Sequence, residues 1–178
     1  RSEMCKFENL IEHISQNKIK IVNLSMGSVN KDDWQCFYRA AKINKNILFF
    51  VSAGNDGKNI DFEKIYPASF DLENIIVITS SDISGNLAQG SNFGSVSVDF
   101  LIPGEQIPVM DHRGVKTNAS GSSFAVPRVV AMAIRILSNN PNANIFDIKS
   151  KLISRAIRSN EKVKYGWIPD PLDNYLLN

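Results

Sequence analysis

Three short, almost uninterrupted apolar runs alternate with segments of helical spacing, and that alternation limits the folds open to this chain. Residues 4–17 place Leu10, Ile11 and Ile14 on one helical face, and Ile19, Ile21, Val22 and Leu24 follow as a strand. Residues 31–45 predict a helix that starts near Asp32 or Asp33 and turns Trp34, Phe37, Tyr38 and Ala41 inward. Residues 47–51 predict a second buried strand and, after a polar loop, residues 75–78 a third. A strand that is apolar at nearly every position must be covered on both faces, and strand–helix–strand order places such strands parallel. The predicted class is α/β, a parallel sheet flanked by helices.

Residues 91–120 read differently. Gly94, Pro103, Gly104, Pro108 and Gly114 punctuate short β-like pieces, which predicts strands and hairpins with no helix. Helical spacing returns after Ser123 with Val129, Val130, Met132, Ala133, Ile136 and Leu137. A polar break at Ser138-Asn139-Asn140-Pro141 separates it from a last helix over 144–158, with Ile145, Ile148, Leu152 and Ile153 on one side. The tail from Tyr165 contains proline and ends apolar.

At 178 residues and 43% hydrophobic content the chain suits one domain with a real core. Its 20 basic and 18 acidic residues, net +2, are dispersed, so no nucleic-acid footprint is expected. No apolar run is long enough to span a bilayer. Cys5 and Cys36 have neither metal nor redox spacing; they could pair, but two isolated cysteines are more often free core thiols, and free thiols are the expectation. The chain starts Arg1-Ser2-Glu3, with neither an initiator Met nor a signal-like stretch, which implies that something upstream was removed or cut away. No localisation signal is legible.

Chemistry concentrates in three segments that would follow strand ends, where parallel sheets bind ligands. They are Ser25-Met26-Gly27-Ser28, Ser52-Ala53-Gly54-Asn55-Asp56-Gly57, and Gly121-Ser122-Ser123-Phe124-Ala125-Val126-Pro127. In the last, Ser123 stands where a helix begins, beside converging N–H groups and the positive end of the helix dipole. Glycines in the other two let a substrate backbone approach closely, and Asn55 offers a neutral amide donor. Each has a plain structural reading as well. Gly-Ser-Ser before an apolar helix is an ordinary N-cap, Asn55 a turn residue, and Ser25 to Ser28 a strand end. Asp56, Asp61 and Glu63 read as solvated loop charges. Asp82 and Asp99 could touch a cation, but no ligand set accompanies them, so no cofactor or metal is expected.

Taken in order, these segments resemble the C-terminal half of a subtilisin-like serine protease (subtilase) catalytic domain. Gly121-Ser122-Ser123-Phe124-Ala125-Val126-Pro127 resembles the family's nucleophile motif Gly-Thr-Ser-Met-Ala-x-Pro. Ile21-Val22-Asn23-Leu24-Ser25-Met26-Gly27 resembles the strand leading into a substrate-binding segment, and Val51-Ser52-Ala53-Gly54-Asn55-Asp56-Gly57 the segment of the oxyanion-hole asparagine. Tyr66-Pro67-Ala68, Ser91-Asn92-Phe93-Gly94, Ile102-Pro103-Gly104 and Tyr165-Gly166-Trp167 also resemble family segments, so the likeness covers about residues 8–175. It implies a subtilisin-like three-layer fold, incomplete without an upstream segment, with residues 1–178 forming the C-terminal part of a single catalytic domain. It implies Ser123 as nucleophile and Asn55 with the Ser123 N–H as oxyanion hole. It places Ser25, Met26 and Gly27 against the substrate backbone, and Ser52, Ala53, Gly54, Ile65 and Tyr66 around the residue before the scissile bond.

Three departures are not fatal: Ser122 stands for Thr and keeps a hydroxyl, a mild change; Phe124 stands for Met and is bulkier behind the nucleophile; Arg128 stands for a frequent His and adds a charge near the helix start. A larger one is that the family's catalytic Asp and His lie upstream of every segment matched here. His13 falls in the first helical pattern and His112 at an expected hairpin tip, and neither has the family's His-Gly-Thr context. The implied partners are therefore a peptide or protein substrate and an N-terminal half carrying Asp and His. That companion would also cover the open strand 19–24. A pseudoprotease or peptide-binding module that keeps the groove without turnover is the alternative.

Overall fold

The computed structural model describes residues 5–159 and 161–169. Its elements run α1 (Lys6–Gln16), β1 (Ile21–Leu24), a 3₁₀ turn (Lys31–Trp34) leading into α2 (Gln35–Ile43), β2 (Leu48–Ser52), β3 (Ile75–Ser81), β4 (Phe100–Pro103), β5 (Ile107–Met110), β6 (Lys116–Ala119), α3 (Ser122–Asn139), α4 (Ile145–Arg155) and β7 (Gly166–Trp167). The end of the tail, beyond Ile168 and Pro169, lies outside the described residues.

Five strands form one parallel sheet in the order β1-β2-β3-β4-β7. Side chains alternate across a strand, so β2 feeds both faces. Phe49 and Val51 join Ile11, Trp34, Phe37, Ala41, Ile75 and Val77 on one side. Leu48 and Phe50 join Ile76, Ile78, Phe100, Val129, Met132, Ile136, Ile148 and Leu152 on the other. Helices α1 and α2 cover the first face and α3 and α4 the second, giving the three layers expected. Burying a side chain of this size contributes about 1.5–3 kcal/mol, which is why the runs in β2 and β3 tolerate no exposed position.

Several details differ from the sequence expectation. On α1 the inward face is Phe7, Ile11 and Ile14, whereas Leu10 is half exposed. Ile19 precedes β1 and is likewise exposed. The third strand continues through Thr79, Ser80 and Ser81, all fully buried; hydroxyl residues concealed its length. Residues 91–120 contain no helix, as expected, and β5 and β6 form an antiparallel hairpin with His112 at its tip.

Caps finish the helices. Buried Asn74 donates through Nδ2 to Ala41 O, Asn44 O and Ile47 O at 3.0, 3.3 and 3.0 Å, satisfying carbonyls at the end of α2. Asn144 and Asp147 form a capping box on α4. Among the described residues no helix is long and apolar enough to cross a membrane.

The cysteines correct the expectation of free thiols. Cys5, at the N-cap of α1, and Cys36, in the first turn of α2, form a disulfide with Cα atoms 5.0 Å apart. Both helices pack on the same sheet face, stitched by Phe7, Trp34, Phe37 and Phe49 with ring centroids 5.1–5.8 Å apart along that series. That packing brings together residues 31 positions apart, which spacing alone could not reveal.

Two outcomes follow for stability. Closing a loop of this length restricts the unfolded chain by roughly 3–4 kcal/mol, so Cys5→Ser or Cys36→Ser is expected to lower the urea midpoint of the full-length protein accordingly. Asp99 is buried and accepts the Val77 N–H at 2.8 Å. Burial pushes its carboxyl above the usual range, against the pull of Lys149, the Val77 N–H and Lys164. A raised folded pKa means the charge costs stability as pH rises above the unfolded value of about 3.9. Asp99→Asn, which keeps an acceptor for Val77, should therefore raise Tm at pH 7, and the gain should vanish below about pH 3.9; a gain that persists at low pH would contradict this.

Candidate active site

In a parallel sheet every strand ends on the same edge, and that edge assembles the predicted residues. β1 ends at Leu24 just before Ser25, β2 ends at Ser52 just before the 53–58 turn, and α3 starts at Ser122. α3 packs beneath β1, β2 and β3, which carries its first turn to the ends of those strands.

The first turn of α3 has orphan N–H groups, as any helix start does. Gly121 turns into it with φ +135°. Phe124 N–H and Ala125 N–H both donate to Gly121 O, at 2.9 and 3.3 Å. Ser122 N–H donates to Asn55 Oδ1 at 2.9 Å, and Ser122 Oγ donates to the same atom at 2.9 Å. Both donations need an acceptor, so the amide atom bonded to the helix start is Oδ1 and Nδ2 is left as a donor. A Cβ on Gly121 would stand 3.3 Å from that Nδ2, so glycine leaves room for the amide. Among the described residues, neither Asn55 Nδ2 nor Ser123 N–H has a hydrogen-bond acceptor. Two N–H donors at the start of α3, Asn55 Nδ2 and the Ser123 N–H, are therefore uncommitted among the described residues.

Ser25 is brought to the same point. Pro127 lies four residues after Ser123 inside α3 and has no N–H to give to the Ser123 carbonyl. Ser25 Oγ donates to that carbonyl at 3.3 Å instead, while Ser123 Oγ lies 3.5 Å from Ser25 O, a long contact. Ser25 Oγ is also 2.8 Å from Asn23 Oδ1. Among the described residues no histidine is bonded to Ser123; His13 sits in the last turn of α1 and His112 on the hairpin.

The predicted substrate segments fall on either side. Met26 and Gly27 are exposed. Ser28 pairs with Tyr66 through two backbone bonds of 2.8 Å, so the 25–28 and 65–66 segments lie together. A Cβ on Gly27 would come within 2.9 Å of Tyr66 O, so only glycine permits that approach. Ala53 and Ile65 are buried in one apolar cluster, Gly54 is half-buried with φ +99°, and Tyr66 is half-buried. Ser52 turns inward, its Oγ 3.0 Å from Ser122 Oγ, so its side chain faces the helix start. Phe124 and Arg128 are both half-buried. A concavity of about 550 Å³ on the β5–β6 hairpin holds none of these residues. Among the described residues no group of three or more His, Cys, Asp or Glu side chains could hold a metal ion.

Ser122 is the residue that sequence reasoning undervalued. Read as a mild replacement for Thr, it is fully buried and joins Ser52 to Asn55. Its position beside Ser123 was the only available signal, because its partners lie 67 and 70 residues away.

With this geometry in view, comparison with known proteins identifies the family. A model of the Subtilase family matches residues 3–167. The chain belongs to the subtilase family. A subtilisin-like protease of Coccidioides posadasii (strain C735) is 31% identical over 131 residues, 72% of this chain and 31% of the relative. Subtilisin DY of Bacillus licheniformis is 26% identical over 157 residues, 88% of this chain and 56% of the relative. The chain therefore spans roughly a third to just over half of these subtilases. Among solved structures, a cold-adapted subtilisin-like serine proteinase superposes with a TM-score of 0.78 at 23% identity, covering 97% of this chain and 63% of that one. The self-cleaved protease domain of PatA gives 0.77 at 24%, covering 94% and 65%. The subtilase fold is thus common to all of them.

The Ser52–Ser122–Asn55 chain should be measurable in this subtilase. Ser122→Ala removes a buried hydroxyl and leaves Ser52 Oγ without its partner, an expected loss of about 1–2 kcal/mol in denaturant unfolding. Ser52→Ala with Ser122→Ala should cost less than the sum of the two single changes, because the pair leaves no orphan between them.

Proposed function

We propose that this chain is the nucleophile-bearing C-terminal part of a single subtilisin-type catalytic domain, and that the whole domain hydrolyses peptide bonds as a serine endopeptidase. The observation that carries this reading is the bond from Ser122 N–H to Asn55 Oδ1, which ties Asn55 to the residue next to Ser123 and leaves Asn55 Nδ2 and Ser123 N–H as uncommitted donors. A decayed binding module has no need of that arrangement.

In the proposed reaction Ser123 Oγ attacks the scissile carbonyl carbon, and the carbonyl π electrons move onto oxygen. The oxyanion is held by Ser123 N–H and Asn55 Nδ2, donors placed before the reaction starts. A histidine, oriented by an aspartate, takes the Ser123 proton and delivers it to the leaving amine; water then cleaves the acyl-enzyme by the same route. We assign that pair to an N-terminal segment, because Ser123 has no basic partner among the described residues. The sheet supports the same assignment: among the described residues β1 pairs only with β2, so its other edge is open to further strands.

The substrate is a peptide or protein. Ser25, Met26 and Gly27 follow β1, and Met26 and Gly27 are exposed, a position suited to pairing with an extended chain. The segments Ser52-Ala53-Gly54 and Ile65-Tyr66 are assigned to the residue before the scissile bond, with half-buried Gly54 and Tyr66 reaching the surface and Ser52, Ala53 and Ile65 buried behind them. Their small, neutral members admit an apolar side chain. No cofactor enters this mechanism.

A fluorophosphonate probe tests the reading. The full-length protein should be labelled on Ser123, and Ser123→Ala should abolish labelling and peptide hydrolysis together. In subtilisin itself loss of the serine costs about 10⁶ in turnover, and a loss of that order is expected here. This chain without its upstream segment should not be labelled. Failure to label the full-length wild type would leave a groove that binds peptides without cleaving them.

A further inference from the structure

We propose that Asn92 is a positioning residue for the oxyanion site, holding the 53–58 turn so that Asn55 meets the start of α3; the inference deepens the reading above and rests on it. Asn55 is exposed, and its own backbone makes no hydrogen bond among the described residues. Its place is therefore set by its neighbours and by the single anchor of Oδ1 on Ser122.

Those neighbours are gripped by Asn92. The side chain is fully buried. Its Nδ2 donates to Ala53 O at 2.8 Å, and its Oδ1 accepts both the Asp56 N–H and the Lys58 N–H at 2.9 Å. Its backbone N–H donates to Gly54 O at 3.1 Å, and its carbonyl accepts from Thr79 Oγ1 in β3. Four bonds thus bracket Asn55 on both sides, and the fifth ties the clamp to the central sheet. An amide is required, since one end must donate while the other accepts twice. Gly54 completes the fit: a Cβ there would stand 2.5 Å from Asn92 Nδ2.

Beyond the clamp the two loops continue side by side. Phe93 N–H donates to Lys58 O at 2.9 Å and Ile60 N–H to Phe93 O at 2.8 Å. Asp61 then accepts the Ser97 N–H at 2.8 Å and the Val96 N–H at 3.2 Å. Partial burial would raise the Asp61 carboxyl, but bonds from Ser97, Val96 and Ser95 outweigh it and hold the pKa below the usual range. The far end of the loop is thus fastened separately. Ala53 N–H on Ile78 O at 2.9 Å and Gly57 N–H on Gly90 O at 2.7 Å hold the two ends of the turn, and Asn92 holds Gly54 and Asp56, the residues on either side of Asn55. Misplacing a reacting or stabilising group by about 1 Å costs on the order of 100-fold in rate, so a clamp of this kind should be visible in turnover.

The experiment uses the full-length protein with Asn92→Ser, which removes both ends of the clamp. Asn92→Asp serves as a second, isosteric variant that keeps the acceptor but sets an oxygen against Ala53 O. Both should lower kcat by about 10- to 100-fold with KM within about twofold. In an Asn55→Ala background the same changes should lower kcat by less than about twofold, because the amide they position is gone. In Asn92→Ser the Asp56 and Lys58 amides should exchange with solvent at least about 10-fold faster, while the melting of the whole domain stays cooperative. A kcat loss of equal size with and without Asn55, or an unchanged kcat, would overturn the proposal. If the wild type shows no turnover, the protease reading fails. The clamp is then decided by exchange alone: unchanged Asp56 and Lys58 protection in Asn92→Ser refutes it, and lost protection supports it.

Discussion

A parallel sheet buried on both faces is the constraint from which the rest of this structure follows. Its strands cannot be joined by tight hairpins, so helices must cross over, and those helices cover the two faces. β2 shows the demand directly, with Phe49 and Val51 in one cluster and Leu48 and Phe50 in the other. Because all the strands point the same way, the segments that follow them gather on one edge. Ser25, the 53–58 turn and the start of α3 meet there.

At that edge the problem is one of orphan donors. The helix start leaves N–H groups exposed, and each must find an acceptor or remain available. Gly121 O takes two and Asn55 Oδ1 takes one, which leaves Ser123 N–H uncommitted. Pro127 creates the opposite vacancy at the Ser123 carbonyl, and Ser25 fills it. The nucleophile candidate is therefore surrounded by bonds that orient its neighbours while its own hydroxyl has only a long contact. Under the proposed function such a site would be ordered before substrate arrives, as oxyanion stabilisation requires.

Much of this was legible in the sequence because it depends on short-range pattern. The apolar runs marked the strands, and the spacing after Ser123 marked α3. Helix α1 shows the limit: Leu10, Ile11 and Ile14 share an approximate face, but packing against Trp34 and Phe37 selects Phe7, Ile11 and Ile14 and leaves Leu10 in water. The polar end of β3 was missed for a similar reason, since Thr79 is buried through a hydrogen bond to the Asn92 carbonyl rather than by apolar character. The disulfide could not be anticipated either, because what pairs Cys5 with Cys36 is the docking of two helices and not their spacing.

The amino-acid order by itself determined the α/β class, the run of small residues around Ser25, Asn55 and Ser123, and the likeness to subtilases, since these are written in neighbouring residues. Tertiary structure alone decided that Ser122 rather than water takes up the Asn55 carbonyl oxygen, that Ser52 turns inward to meet it, and that Asn92 threads the 53–58 turn. Each of these contacts joins residues more than 30 positions apart. Their bonds exist only once the sheet has set its strands side by side, because a hydrogen bond demands an approach within about 3 Å that no local sequence preference can supply.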